Sequence, residues 1–202
     1  MALKPSEDQV AQKVVKPETK PAVTPVEPSL QSLVCGDREA FAQLILFYNE
    51  ALYRWVARLT GNSHAAEDLV QDTFVRAYQA ITRLRPDTNL KAWLFRIAHN
   101  AYANWVRGRS GRNGSFPDEV LDRRAGPEEL AQGNEASRRL QQVIDKLPEE
   151  WKAALLLRIH EEMPFREMAI ALGTTEETAR WRVFKARQRL MESLEEKQEE
   201  KR

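Results

Sequence analysis

A chain of 202 residues has room for one medium domain or two small ones, and 31 basic against 30 acidic residues leave a net charge of only +1. With 42% hydrophobic and 30% charged residues, and no apolar run near the ~18 residues that span a bilayer, the composition fits a helix-rich protein rather than a membrane-spanning one. The single Cys35 excludes an internal disulfide and a cysteine-based zinc site; His64, His99 and His160 are too scattered for a histidine metal site, and the absence of a signal-peptide apolar core predicts a cytoplasmic setting.

Residues 1–35 carry Pro5, Pro17, Pro21, Pro25 and Pro28 without sustained periodicity, which predicts a disordered Pro-rich leader. Asp37 is an N-cap candidate for a helix, or a bent pair, whose Phe41, Leu44, Leu52, Val56 and Leu59 recur at helical spacing up to a stop at Gly61. Ser63 is read as the cap of the next helix, with Val70, Phe74, Ala77, Ile81 and Leu84 inward. Its outer face begins acidic, with Glu67, Asp68 and Asp72; Asp68 and Asp72 share a face at i, i+4. A two-carboxylate metal site lacks a third ligand, so a docking face for a basic partner is the better reading.

Pro86 breaks the pattern, and Thr88 or Asn89 caps a helix over 90–107. Leu90, Leu94, Ile97, Ala101 and Trp105 form its apolar stripe, while Arg96, Asn100, Asn104 and Arg107 form the neighbouring one. Asn is a poor helix-interior residue, so two in line between arginines call for a function, and amide and guanidinium groups read base edges and grip phosphates. Trp93, Phe95, Tyr102 and Trp105 add aromatic faces able to stack bases. From Arg83 to Arg112 seven basic residues face one acid, Asp87; Arg83, Arg85, Lys91 and Arg107 are phosphate-clamp candidates.

Residues 108–132, with Gly108, Gly111, Gly114, Pro117, Gly126 and Pro127, read as a flexible linker. A second helical domain is expected over 133–195, with inward faces Leu140, Ile144 and Leu147, then Trp151, Leu155, Leu156 and Ile159, and after Pro164 Phe165, Met168, Ala169 and Leu172. A short helix ending at Gly173, then a helix capped by Thr174 or Thr175, is a helix-turn-helix pattern. Its second helix bears Arg180, Arg182, Lys185, Arg187 and Arg189 with no acid between 178 and 190, which favours major-groove contact. Residues 196–202 read as a fraying charged tail.

These blocks together resemble the bacterial RNA polymerase sigma factors of the extracytoplasmic-function (ECF) type, over about 36–194. GDREAFAQLILFYNEALYRWVARLTG is similar to the family's region 2.1, AAEDLVQDTFVRAYQAI to region 2.2, NLKAWLFRIAHNAYANWVR to regions 2.3 and 2.4, and the stretch from Leu147 to Leu190 to region 4. The resemblance implies an all-α fold of two helical domains, a region 2 domain over 36–107 and a region 4 domain over 133–195. It implies no catalysis, no cofactor and no small-molecule substrate.

The resemblance assigns Asp68, Leu69, Gln71, Asp72 and Phe74 to the β′ clamp of core RNA polymerase. It places Arg96, Asn100 and Asn104 at the melting −10 element, and Arg180, Trp181, Arg182, Phe184 and Lys185 at the −35 duplex, with region 4 also meeting the β flap. Glu177 and Trp181 stand where the family usually has Gly and Ser, which leaves the −35 preference open. Many relatives are restrained by an anti-sigma factor, sometimes at the membrane, so one is expected here. The competing reading is a stand-alone helix-turn-helix regulator, which uses only residues 133–194.

Overall fold

The computed structural model describes residues 26–111 and 135–199, and among these every regular element is helical. The linker reading falls largely outside the described residues, as does most of the leader.

Helical structure reaches into the stretch read as leader. Leu30–Val34 form a short helix, α1, whose Leu33 is buried in the core. The disordered leader predicted up to residue 35 is therefore corrected at its end: five residues are too few to show a period, and packing rather than propensity holds them. Asp37 caps α2 (Arg38–Thr60) as expected, its Oδ1 accepting from the Glu39 N–H at 2.8 Å and the Ala40 N–H at 3.3 Å. The element is one helix, and it stops at Gly61, whose φ of 63° lies in the left-handed region that glycine tolerates best.

Asn62, not Ser63, caps α3 (Ser63–Ala80): its Oδ1 accepts from the Ala65 N–H at 2.9 Å. A 3-10 turn over Ile81–Arg83 leads to the Pro86 loop, and Asn89 Oδ1 accepts from the Ala92 N–H at 2.8 Å to open α4 (Leu90–Gly111). α2, α3 and α4 pack mutually as a three-helix unit.

The second unit contains α5 (Glu135–Asp145), α6 (Glu149–His160), α7 (Phe165–Leu172) and α8 (Glu176–Glu199). Gly173, at φ 64°, closes α7, and Thr175 Oγ1 accepts from the Thr178 N–H at 3.1 Å to open α8. α8 runs on through 196–199, so the tail predicted to fray from 196 begins as helix.

The inward faces differ from the expected ones in a consistent way. Val143, not Leu140, is buried on α5, and Ile159 is exposed on α6. Residues 152–157 of α6 are buried on every side, including Lys152. A helix buried all round has neighbours all round. α6 packs on α7 and α8 of its own unit and on α2 of the other, while α7 packs on α4. The two units thus share one continuous apolar core.

Candidate nucleic-acid interface

The α4 stripe forms as the spacing requires. Arg96, Asn100, Asn104 and Arg107 are all exposed, while Leu90, Leu94 and Ala101 are buried and Ile97 and Trp105 half-buried. Arg107 donates to the Asn104 side-chain oxygen and, at 3.3 Å, to the Ala103 carbonyl, so the lower end of the stripe is ordered by its own members. Arg83, at the end of the 3-10 turn, and Arg85, on the loop before α4, are exposed, and Arg85 pairs with Asp87 at 3.2 Å.

Two aromatics expected beside this stripe belong to the core. Phe95 is fully buried against Trp55, ring centroids 5.4 Å apart, and Tyr102 is 3% exposed. The Tyr102 hydroxyl donates to the Glu149 carboxylate of α6, and burial together with that carboxylate pushes its pKa well above the phenol's usual range. Neither ring can stack a base in this arrangement. Trp93 and Trp105 stay half-buried.

Lys91 and Arg96 engage the other unit. Lys91 Nζ donates to the Glu161 carbonyl at 2.9 Å and lies 3.5 Å from its carboxylate. Arg96 donates to the Ile170 carbonyl of α7 at 3.4 Å. His99, on the same helix, is held below its ordinary pKa by burial first and then by Arg182 and Arg96, with Glu150 opposing.

On α8 the expected contact residues divide. Trp181 and Phe184 are 50% and 61% exposed, and Trp181 meets Trp151 edge-on at 5.6 Å. The Arg180 guanidinium lies over the Phe165 ring at 4.8 Å and pairs with Glu176. Arg182 is drawn inward: its side chain is 14% exposed and bonds the Glu150 carboxylate at 2.6 Å. Lys185 is half-buried, donating to Gln188 at 3.1 Å.

On α3, Asp68 and Gln71 are exposed, and Asp72 pairs with Arg76 at 2.8 Å. Leu69 and Phe74 belong to the core cluster and are 8% and 7% exposed. Exposed Val75 and Tyr78 stand beside them, along an apolar groove of about 770 Å³ between α2 and α3 that Phe74 and Gln71 also line.

Sequence reasoning missed the cross-unit polar contacts. Arg54 of α2 lies 3.9 Å from the Glu161 carboxylate, Trp55 Nε1 donates to the Ala153 carbonyl at 3.4 Å, and Lys152 Nζ donates to the Leu59 carbonyl at 3.3 Å. Each joins residues about 90 to 110 positions apart, a distance over which no periodicity or spacing signal operates.

A model of sigma-70 region 2 matches residues 44–112, and a model of sigma-70 region 4 matches residues 137–190. The RNA polymerase sigma-H factor of Pseudomonas aeruginosa is 30% identical over 171 residues, spanning 79% of this chain and 89% of that protein. The ECF sigma factors SigE of Mycolicibacterium smegmatis and SigW of Bacillus subtilis are 33% and 28% identical, over 79% of this chain in each case. The chain belongs to the ECF sigma factors. It spans 64% of the length of SigE and 91% of SigW.

Among solved structures, the sigma factor RpoE of Bartonella quintana, bound to the anti-sigma factor NepR, superposes with a TM-score of 0.65 at 28% identity. That match covers 78% of this chain and 98% of RpoE. The first three-helix unit is therefore the sigma region 2 domain and the second the region 4 domain. A sigma factor works as the promoter-recognition subunit of RNA polymerase in transcription initiation, a binding role rather than a catalytic one, and its partners are core polymerase and promoter DNA. The stand-alone regulator reading is not favoured, since it leaves the region 2 match unused. Among the described residues no helix is long and apolar enough to cross a membrane, and no cluster of three metal-ligating side chains occurs.

Proposed function

We propose that this ECF sigma factor divides its contacts by surface. α4 holds the −10 element through Asn100, Asn104 and Arg96, with Lys91, Arg83, Arg85 and Arg107 on the phosphates. α8 meets the −35 duplex through Arg180, Trp181, Arg182, Phe184 and Lys185, and Asp68, Gln71 and Asp72 of α3 dock on the β′ clamp, with region 4 on the β flap. The observation that carries the reading is the exposed α4 stripe: two amides between two guanidiniums, with no acid on that helix. Amides in this register suit base edges or a base swung out of the duplex, and guanidiniums suit the flanking phosphates. Trp181 replaces a small phosphate-contacting residue with a broad apolar face, which suits a thymine methyl.

An anti-sigma factor is the further partner proposed, supported by the likeness to RpoE, a sigma factor solved with one. The setting is the cytoplasm, where polymerase and DNA are, with the anti-sigma factor as the means of any attachment to a membrane. The test is Asn100→Ala with Asn104→Ala in reconstituted holoenzyme. Permanganate reactivity of promoter thymines is expected to fall about tenfold or more, as the loss of two amide contacts at about 1 kcal/mol each implies, while core binding stays intact. Unchanged reactivity contradicts the assignment.

A further inference from the structure

The first turn of α6 grips α8 at two consecutive residues. Trp151 meets Trp181 with ring centroids 5.6 Å apart and ring planes at 89°, and Glu150 accepts from Arg182 at 2.6 Å. On the other flank Arg180 lies over the Phe165 ring of α7 at 4.8 Å and pairs with Glu176 at 2.8 Å. Arg180, Trp181 and Arg182 therefore each have a partner before any DNA arrives. All of these residues lie within region 4, so the contacts do not depend on how the two units sit.

Of the two residues gripped by α6, Arg182 is drawn in, with its side chain 14% exposed, while Trp181 stays 50% exposed. Trp151 is half-buried and packed on the core, so it is the fixed wall and Trp181 the part free to turn. An indole at an exposed helix position has two side-chain torsions to settle. An edge-on aromatic neighbour favours one orientation over the others by about two- to tenfold. One side of the Trp181 ring is taken by Trp151, and the remainder faces solvent.

We propose that Trp151 is a positioning residue for promoter specificity, holding Trp181 in the orientation that packs on a thymine methyl group of the −35 duplex. The proposal rests on the assignment of α8 and Trp181 to that duplex. A ring fixed before binding gives up little rotamer freedom on contact, so the apolar contact with a single methyl group shows in the affinity. A ring free to turn loses that gain to ordering, and discriminates poorly between a pyrimidine with the methyl group and one without it.

Full-length chains carrying Trp151→Leu, Trp151→Phe or Trp181→Ser, each assembled with core polymerase, test it. The probe is a promoter duplex from which the wild-type holoenzyme starts, with copies in which each thymine of the −35 stretch, on either strand, is replaced in turn by deoxyuridine. Deoxyuridine lacks only the methyl group. Parent and copy compete in one tube, so partial loss of folded protein lowers both alike and leaves their ratio unchanged. Wild type is expected to prefer the thymine duplex about fourfold at one position, as burial of one methyl group implies. Trp151→Phe, which keeps an aromatic partner, is expected to retain that preference, and Trp151→Leu to reduce it to below about twofold. Trp181→Ser abolishes it. A Trp151→Leu holoenzyme with the wild-type ratio overturns the positioning role. A ratio that Trp181→Ser leaves unchanged at every position overturns the proposal through its premise, that Trp181 meets a thymine of the −35 duplex.

Discussion

Asn100 and Asn104 lower the helix propensity of α4 at positions where solvent exposure gives them no packing role. Each Asn costs roughly 0.5 kcal/mol relative to Ala on an exposed helix. The Asn100→Ala, Asn104→Ala variant is therefore expected to be more stable by about 0.5–1 kcal/mol in urea denaturation while it opens promoters poorly. A loss of stability instead would mean that the amides are structural, through contacts such as the one Arg107 makes with Asn104. Glu161 shows the opposite balance. Burial pushes its carboxyl above the usual carboxylate range despite the neighbouring Lys91, Arg54 and Arg58, the mark of a charge held where water would serve it better.

At the scale of elements, α3 presents its acids without needing them for its own fold. Asp68 is exposed, and the Asp72–Arg76 pair is an exposed i, i+4 pair of small worth. Asp68→Arg with Asp72→Arg is expected to leave the helix content unchanged and to weaken core-polymerase binding about tenfold or more in a titration. Binding at wild-type strength removes the clamp assignment from this face.

The caps and stops of these helices were legible because they are local chemistry. Asp37, Asn89 and Thr175 accept from the first free N–H groups, and Gly61 and Gly173 supply left-handed closure. Ser63 lost its role to Asn62 because the residue after the Gly61 turn is already extended and its amide oxygen reaches the Ala65 N–H. α1 was invisible since a five-residue helix shows no period and its one buried residue, Leu33, is revealed only by tertiary packing. Phe95 and Tyr102 were misplaced for a related reason: an amphipathic pattern assumes one buried face, and α4 has neighbours on two, α2 and α3 on one side and α7 on another.

Across the whole molecule, the near-zero net charge conceals a division of labour. The chain sorts cations onto α4 and the 178–190 stretch of α8 and acids onto α3 and the α6 ends, and the Lys91–Glu161 pair helps close the two units on each other. That closure carries a pH signature. His99 lies at the seam with its pKa below the ordinary 6.5, so the folded, closed chain binds fewer protons there than the unfolded chain. Its contribution is complete above about pH 6.5 and is lost as pH falls through the lower folded value. His160, lowered by burial and by Arg58 and Arg54, acts in the same direction. Glu161, raised, acts in the other: its contribution is present below its ordinary value of 4.5 and lost as pH rises through the raised one. The thermal midpoint is expected to fall between about pH 7 and about pH 5, and His99→Gln is expected to remove about 2–4 °C of that fall. An identical pH slope in the variant contradicts a role for His99 at the seam.

The account holds that one chain joins polymerase through region 2 and reads promoter DNA with α4 and α8. Run-off transcription with purified core polymerase on a promoter library, with the starts sequenced, measures this most directly. The account predicts new starts that appear only when the chain is added, with shared motifs near −10 and −35. A set of starts identical with and without the chain would contradict it.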